Sequence, residues 1–172
     1  AGLSAASPRP GEAEEGRQPE AVPARRKVMI VEDDPAYRMV LEKTVTALGH
    51  DATVAASGAQ ALELLPGGFD LLLVDVLLPD ANGLDLVASI RAIDQHQDLP
   101  IIVVTSLSDV EERAKACDAG ANDFIVKPVD AAELQIRMRS LLRMWDASNL
   151  ARFHQANLEE QVRRRTEDLS RA

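Results

Sequence analysis

Residues that could handle a phosphate group follow several separate apolar stretches of this sequence. Each stretch has the length of one buried strand, and the polar residues come directly after it. They are Glu32 and Asp33 after residues 28–31, Asp75 after 71–74, Thr105 after 101–104, and Lys127 after 123–126. Carboxylates hold hard cations, whereas a hydroxyl and an ammonium contact phosphoryl oxygens. Brought together by the fold, the five residues would form a metal and phosphoryl site.

The elements that must position these residues alternate along the chain from Lys27 onward. Apolar runs of strand length occupy residues 28–31, 52–55, 70–75, 101–105 and 123–126. Segments with helical spacing lie between them, at about 35–48, 58–65, 83–94 and 109–119. This alternation predicts an α/β fold with a parallel sheet. The carboxyl ends of the strands then meet at one edge, where ligands bind in open α/β sheets.

Each candidate residue also has an ordinary structural interpretation. Asp75 could cap the turn after its strand, and Lys127 could be a surface cation. Thr105 could be a β-branched strand residue. An ionised Asp75 after Leu-Leu-Leu-Val is nevertheless costly to bury unless it is paired or metal-bound. The joint occurrence of all five residues at strand ends favours the site, with Mg²⁺ or Mn²⁺ as its cation.

Composition excludes several classes of function. The 172 residues suffice for one domain with extensions, and the net charge of −9 argues against a nucleic-acid surface. The lone Cys117 excludes an intrachain disulfide and suits a reducing compartment. No run approaches the roughly 20 apolar residues that span a bilayer. We therefore expect a cytoplasmic chain that binds neither nucleic acid nor a membrane.

Both ends of the chain depart from the alternating pattern. Residues 1–26 are rich in Pro, Gly and charge, and we expect a disordered leader there. From about 130 to 171 there is no Pro or Gly, which predicts one long helix. An apolar face suited to packing on the sheet is formed by Leu134, Met138, Leu141 and Leu142.

Farther along this helix, apolar residues have the spacing of a coiled coil. Leu158, Val162 and Leu169 lie at heptad-compatible positions among charged residues, although residues 152–157 fit no clean heptad. This pattern predicts a homodimer through the C-terminal helix. A solvated helix with alternating charges is the other interpretation.

Four segments resemble the receiver domains of two-component response regulators. They are VMIVEDDPAYR, LLLVDVLLPDANGLDL, IIVVTSLSD and GANDFIVKPVD, and they cover about residues 27–146 in the order of that family. The resemblance implies a CheY-like, flavodoxin-like fold, in which five parallel strands carry helices on both faces. It also implies a sensor histidine kinase or a phosphotransfer protein as the phosphoryl donor.

The resemblance implies a role for Asp75 and for the residues that would hold a metal ion beside it. Asp75 would be the phospho-acceptor nucleophile. Glu32, Asp33 and the backbone carbonyl of Leu77 would join Asp75 around the metal ion. Beyond its own phosphorylation and dephosphorylation, no enzymatic activity of this chain is implied.

The other site residues would recognise and report the phosphoryl group. Thr105 and Lys127 would contact its oxygens, and Thr105 with Phe124 would form a two-state switch. The chain departs from the family at Leu77 and Leu107, two positions that in the family tend to flank the path of the hydrolytic water. Because apolar side chains cannot orient that water, we predict a long-lived aspartyl phosphate.

Other classes fit the sequence less well. A haloacid-dehalogenase-type phosphatase would need a second Asp two residues after Asp75, where this chain has Leu77. A flavodoxin would need a hydroxyl- and Gly-rich loop after the first strand, where this chain has Glu-Asp-Asp. A dinucleotide site would need the motif GxGxxG, which the sequence lacks. A dimerising scaffold that acts independently of phosphorylation stays open, although the intact five-residue set argues against it.

The sequence therefore predicts three segments. Residues 1–26 form the leader and residues 27–146 the receiver domain. Residues 147–172 form a helical or coiled-coil extension, or a linker to an output domain that is missing from this chain. The phosphorylation state would pass through this C-terminal helix.

Overall fold

The computed structural model describes residues 24–106 and 110–171. Its strands are β1 Lys27–Val31, β2 Asp51–Ala55, β3 Leu71–Asp75, β4 Ile101–Thr105 and β5 Asp123–Val126. Its α-helices are α1 Pro35–Ala47, α2 Gly58–Leu64, α3 Gly83–Arg91, α4 Val110–Ala119 and α5 Ala131–Arg171. The predicted alternation of strands and helices is confirmed.

The five strands form one parallel sheet with the order β2-β1-β3-β4-β5. The chain runs outward from β1 to β2, returns to the other side of β1 as β3, and continues to β5. The order therefore reverses beside β1, and the carboxyl ends of β1 and β3 flank the point of reversal. The predicted flavodoxin-like fold is confirmed.

Helices cover both faces of the sheet, which explains why the strand sequences are apolar without alternation. Successive strand residues point into two different cores. One core packs under α2, α3 and α4 and includes Met29, Val31, Leu72, Val74, Ile101 and Val103. The other packs under α1 and α5 and includes Val28, Ile30, Leu71, Leu73, Ile102 and Val104.

Most predicted helix boundaries are confirmed, and one is wrong. The Asp34 carboxylate accepts the Ala36 N–H at 3.0 Å, so it caps α1 as its place before Pro35 indicates. Helix α3, predicted over 83–94, ends at Arg91 and is followed by a 3-10 turn at Asp94–His96. The helix stops because Ile93 adopts extended backbone angles, with φ −84° and ψ 117°.

Helix α5 is much longer than the other helices. Its 41 residues extend over about 60 Å at 1.5 Å per residue. Its predicted packing face is confirmed, since Leu134, Met138, Leu141 and Leu142 are buried. The helix continues without a break through the predicted domain boundary at residue 146. Beyond that boundary, Arg152 forms a salt bridge with Asp98.

No helix within residues 24–106 and 110–171 is both long and apolar enough to cross a membrane. The predicted leader lies almost wholly outside the described residues.

Candidate functional site

Three carboxylates converge at the carboxyl ends of β1 and β3. Glu32 and Asp33 follow β1, and Asp75 is the last residue of β3, which pairs directly with β1. Each residue offers an oxygen, and these oxygens all lie within 4.8 Å of one another. Glu32 and Asp75 are only 1% and 6% exposed, whereas Asp33 is open to solvent. The cluster therefore has a buried floor and an open side.

Lys127 directly follows the edge strand β5, and its side chain reaches the carboxylates. Its Nζ lies 2.8 Å from Glu32 Oε2 and 2.9 Å from Asp75 Oδ2. The Lys127 backbone N–H also donates to the Thr105 carbonyl at 2.8 Å, which fixes the start of the loop after β5. The peptide bond between Lys127 and Pro128 is cis. The structure thus brings together a lysine and two carboxylates that are distant in sequence.

Tyr37 holds the Lys127 side chain in place and was not predicted from the sequence. The Lys127 ammonium lies 4.3 Å from the centre of the Tyr37 ring, within the range of a cation–π interaction. The Tyr37 hydroxyl accepts the Val129 N–H at 3.0 Å. Tyr37 therefore links α1 to the loop that carries Lys127. Its place in VEDDPAYR is the only sequence signal that could have indicated this role.

The cluster contains more carboxylates than cationic groups, since Lys127 faces three acidic residues. Burial raises the pKa of Glu32, and the nearby Asp75 raises it further, while Lys127 and the Asp34 N–H act in the opposite direction. Burial acts to lower the pKa of Lys127, but its bonds to Glu32 and Asp75 outweigh that effect and raise it. Lys127 therefore stays protonated and balances only part of the negative charge.

This donor set fits a hard divalent cation. Three carboxylates outnumber the ammonium of Lys127, and all of the donors are oxygens. Mg²⁺ prefers oxygen ligands and is commonly held by one or two carboxylates with waters and phosphate oxygens. The exposed side of the cluster, at Asp33, leaves room for such ligands.

Leu77 and Thr105 border the cluster. The Leu77 N–H donates to Asp75 Oδ1 at 3.1 Å, which fixes one Asp75 oxygen and leaves Oδ2 toward Lys127. The Leu77 side chain is 64% exposed beside the site. Thr105 is buried at the end of β4, next to β3. Leu107 lies outside the described residues.

Gly83 permits the close approach of α3 to the end of β3, and sequence reasoning did not single it out. A Cβ at this position would lie 1.9 Å from the Asp75 carbonyl oxygen. The Gly83 N–H donates to the Val76 carbonyl at 2.7 Å. Any side chain at Gly83 would therefore displace the backbone that presents Asp75.

Phe124 lies on β5, away from the carboxylates, and packs partly against the core under α4. The Arg113 guanidinium is 4.8 Å from its ring centre and the Arg137 guanidinium is 5.9 Å away. Arg137 belongs to α5 and forms ion pairs with Asp123 at 2.7 Å and Glu133 at 2.8 Å. The predicted switch residue thus contacts both α4 and the long helix.

The predicted dimer residues are not part of this cluster. Leu158, Val162 and Leu169 lie on the distal half of α5 and are 61%, 64% and 77% exposed. The chain therefore has two separate candidate regions, one at the strand ends and one on the helix.

Comparison with known proteins places the chain in a family. A profile described as the response regulator receiver domain matches residues 28–139, which is more than half of the sequence. The chain belongs to the response regulator receiver domain family.

Relatives and solved structures agree with this assignment. The transcriptional regulatory protein CusR of Escherichia coli (strain K12) is 38% identical over 118 residues, covering 68% of this chain and 51% of CusR. A putative response regulator from Chloroflexus aurantiacus J-10-fl superposes with a TM-score of 0.67 at 32% identity, covering 70% of this chain and 99% of that one. The chain spans about half the length of CusR.

A second solved structure of similar fold contains a metal ion. The receiver domain of the sensor histidine kinase PA1611 from Pseudomonas aeruginosa PAO1 has a magnesium ion coordinated in its active-site cleft. It superposes with a TM-score of 0.65 at 32% identity and covers 69% of this chain and 98% of that chain.

Proposed function

We propose that this chain is a phosphorylation-dependent signalling switch that accepts a phosphoryl group on Asp75. The donor is the phosphohistidine of a sensor histidine kinase or of a phosphotransfer protein in the cytoplasm. The observation that carries the proposal is the Asp75 carboxylate itself. It is nearly buried at a strand end, and Lys127 lies 2.9 Å from Oδ2 within a cluster of excess negative charge.

The side chains divide the transfer reaction among them. An Asp75 carboxylate oxygen attacks the phosphorus atom, the N–P bond to the donor imidazole breaks, and the imidazole takes a proton as it leaves. Lys127 stays close to Oδ2 and neutralises charge that develops on the phosphoryl oxygens. Thr105 lies at the neighbouring strand end to receive one of those oxygens. A Mg²⁺ or Mn²⁺ ion held by Glu32, Asp33, Asp75 and the Leu77 carbonyl would supply further charge neutralisation and alignment.

Apart from this self-modification, we propose no enzymatic activity for the chain. Its output is a change of conformation. Thr105 and Phe124 are the two-state element, and phosphorylation shifts the balance between their arrangements. Phe124 contacts Arg137 of α5, so a rearrangement of the ring alters the ion pairs at the start of the long helix. This contact provides a physical route from the site to α5.

The distal half of α5 supports a homodimer. The exposed stripe of Leu158, Val162 and Leu169 extends toward the domain through Ala151 and Met144 at intervals of four or seven residues, the spacing of a coiled-coil seam. On the opposite side of the helix, Glu160 pairs with Arg163 at 2.6 Å and Arg164 at 2.8 Å. These charges satisfy one another within the helix, which leaves the apolar stripe for a second copy.

The exposed stripe also supports an alternative function. Because its residues lie far from Asp75, the chain could act as a dimerising scaffold regardless of phosphorylation. An Asp75→Asn variant that assembles and binds partners as the wild type does would favour this alternative.

The test of the proposal is phosphoryl transfer from acetyl phosphate in the presence of Mg²⁺, followed by intact mass spectrometry. The wild type should gain one phosphoryl group, and Asp75→Asn should gain none. Asp118→Asn, which removes a carboxylate from the exposed side of α4, should behave as the wild type. Equal labelling of the wild type and Asp75→Asn would contradict the proposal.

A further inference from the structure

The loop between β3 and α3 carries the Leu77 carbonyl, and its two ends are firmly held. At the start, the Val76 N–H donates to the Val104 carbonyl at 3.2 Å and so extends the sheet. At the end, the Asn82 side chain caps α3 by accepting the Leu84 N–H at 2.8 Å. An antiparallel bridge between Leu77 and Asn82 closes the loop across its neck. The tip, residues 78–81, extends beyond this bridge.

Asp80 attaches the tip to a different helix. Its Oδ1 accepts the Gly58 N–H at 3.0 Å, and its Oδ2 accepts the Ala59 N–H at 2.9 Å. Both oxygens are thus engaged by the first turn of α2, and two bonds to one carboxylate fix its orientation. These two bonds lower the pKa of the exposed Asp80 carboxylate, because both are made to its ionised form. Leu78 adds an apolar contact between the tip and the core.

The attachment bears on the acceptor site because of the short distance between them along the chain. Leu77 is three residues before Asp80, and its N–H orients Asp75 Oδ1. Rotation of the loop tip would move both the Leu77 N–H and the Leu77 carbonyl. The exposed Leu77 side chain provides little packing to resist such a rotation.

We propose that Asp80 is a positioning residue for the metal site, which fixes the Leu77 backbone by tying the loop to α2. The inference deepens the proposed function and rests on it. Asp80 contacts neither the metal ion nor the phosphoryl group, and acts only through the loop. Outer groups that orient metal ligands typically change metal affinity by roughly 10- to 100-fold when they are removed.

The experiment is a titration of the metal-free chain with MgCl₂, followed by amide chemical shifts in ¹H–¹⁵N NMR spectra. Asp80→Ala should weaken Mg²⁺ binding by roughly 10-fold. Asp80→Asn keeps one acceptor oxygen and should recover part of that loss. In the metal-free state, the Leu77 amide should also exchange faster with solvent in Asp80→Ala than in the wild type.

Two control variants separate positioning from simpler effects. Ser57→Ala removes the other side-chain cap of α2, the bond from the Gln60 N–H at 3.2 Å, without touching the loop. Ser57→Ala should lower Tm by about as much as Asp80→Ala does, but it should leave the Mg²⁺ affinity unchanged. Asp85→Asn removes one negative charge from the exposed first turn of α3 and should change affinity less than Asp80→Asn.

The outcomes distinguish this inference from the proposed function. Wild-type affinity in Asp80→Ala, or an equal loss in Ser57→Ala, would overturn the positioning role alone. An equal loss in Asp80→Asn and Asp85→Asn would overturn it too, since charge would then explain the effect. A wild type that binds no Mg²⁺ would overturn the proposed function together with the inference.

Discussion

The strand-end site and the distal half of α5 differ in which side chains they bury and which they expose. At the site, Glu32, Asp75 and Lys127 are brought together from distant parts of the sequence, and the two buried carboxylates both bond to the partly buried Lys127. On α5, Leu158 and Val162 are neighbours in sequence and are exposed. Polar groups are therefore enclosed in one region, whereas apolar groups are left in water in the other.

The difference supports a different proposed partner for each region. Excess carboxylates cost free energy unless a cation reaches them, so the site could hold a metal ion. An exposed apolar stripe costs free energy unless another surface covers it, which supports the proposal that a second copy of the chain packs against the helix. Phe124 and Arg137, whose guanidinium lies 5.9 Å from the ring centre, form the connection that we propose between the two regions.

The largest effect is expected from Lys127→Met. Phosphorylation of Asp75 should slow by roughly 100- to 1000-fold, because the variant lacks the ammonium that balances charge in the transition state. The measurement is the rate of labelling by acetyl phosphate at saturating Mg²⁺. Lys115→Met removes an exposed lysine that pairs with Glu112, and serves as the control. If Lys127→Met is labelled as fast as Lys115→Met, Lys127 does not contribute to phosphorylation of Asp75.

Val162→Glu tests the helix. Two unpaired carboxylates would be buried in the seam of a dimer, which should weaken association by roughly 100-fold, or about 3 kcal/mol. Sedimentation equilibrium over a range of concentrations measures this change. Asn157→Glu places the same charge outside the seam and should leave association unchanged. Equal association of both variants would show that the stripe is not the dimer contact.

Leu77→Asn tests the predicted long life of the aspartyl phosphate. The exposed Leu77 side chain cannot orient a water molecule, whereas an amide can donate a hydrogen bond to it. The variant should therefore dephosphorylate several-fold faster, as followed by loss of the phosphorylated mass after removal of the donor. The prediction is wrong if the wild type dephosphorylates quickly and Leu77→Asn is no faster.

Glu32→Gln should have the smallest effect, and it should act in opposite directions on stability and binding. Burial raises the pKa of Glu32 in the folded state, so its ionised form opposes folding at neutral pH. Without metal, the variant should gain about 1 kcal/mol in the free energy of unfolding, because Lys127 keeps Asp75 as a partner. Its Mg²⁺ affinity should fall.

The pH dependence supplies the check on this variant. A carboxyl group whose pKa is raised by folding stabilises the folded state at pH values below its pKa in the unfolded chain. This stabilisation is lost as the pH rises through its pKa in the folded state. The difference between wild type and Glu32→Gln should therefore shrink as the pH is lowered, since protonated Glu32 resembles Gln. Urea unfolding in EDTA at several pH values measures it. A variant less stable than the wild type at neutral pH would contradict the prediction.

Much of the fold was predictable because its signals are local. Apolar runs such as Leu71–Val74 mark buried strands, and the position of Asp75 directly after one marks a strand end. The approach of Tyr37 to Lys127 depends instead on how α1 packs beside the loop after β5. The close contact at Gly83 and the bonds of Asp80 depend likewise on the path of a loop, for which the sequence has no periodic pattern.

We propose that the state of Asp75 changes the packing of α5, and hydrogen–deuterium exchange can follow that packing along the helix. Exchange would be measured with and without Mg²⁺ and beryllofluoride, which mimics the aspartyl phosphate, in the wild type and in Asp75→Asn. Protection should change in residues 146–171 of the wild type and should stay the same in the variant. Changes confined to the strand ends of the wild type, with unaltered exchange in residues 146–171, would show that Asp75 does not act on α5.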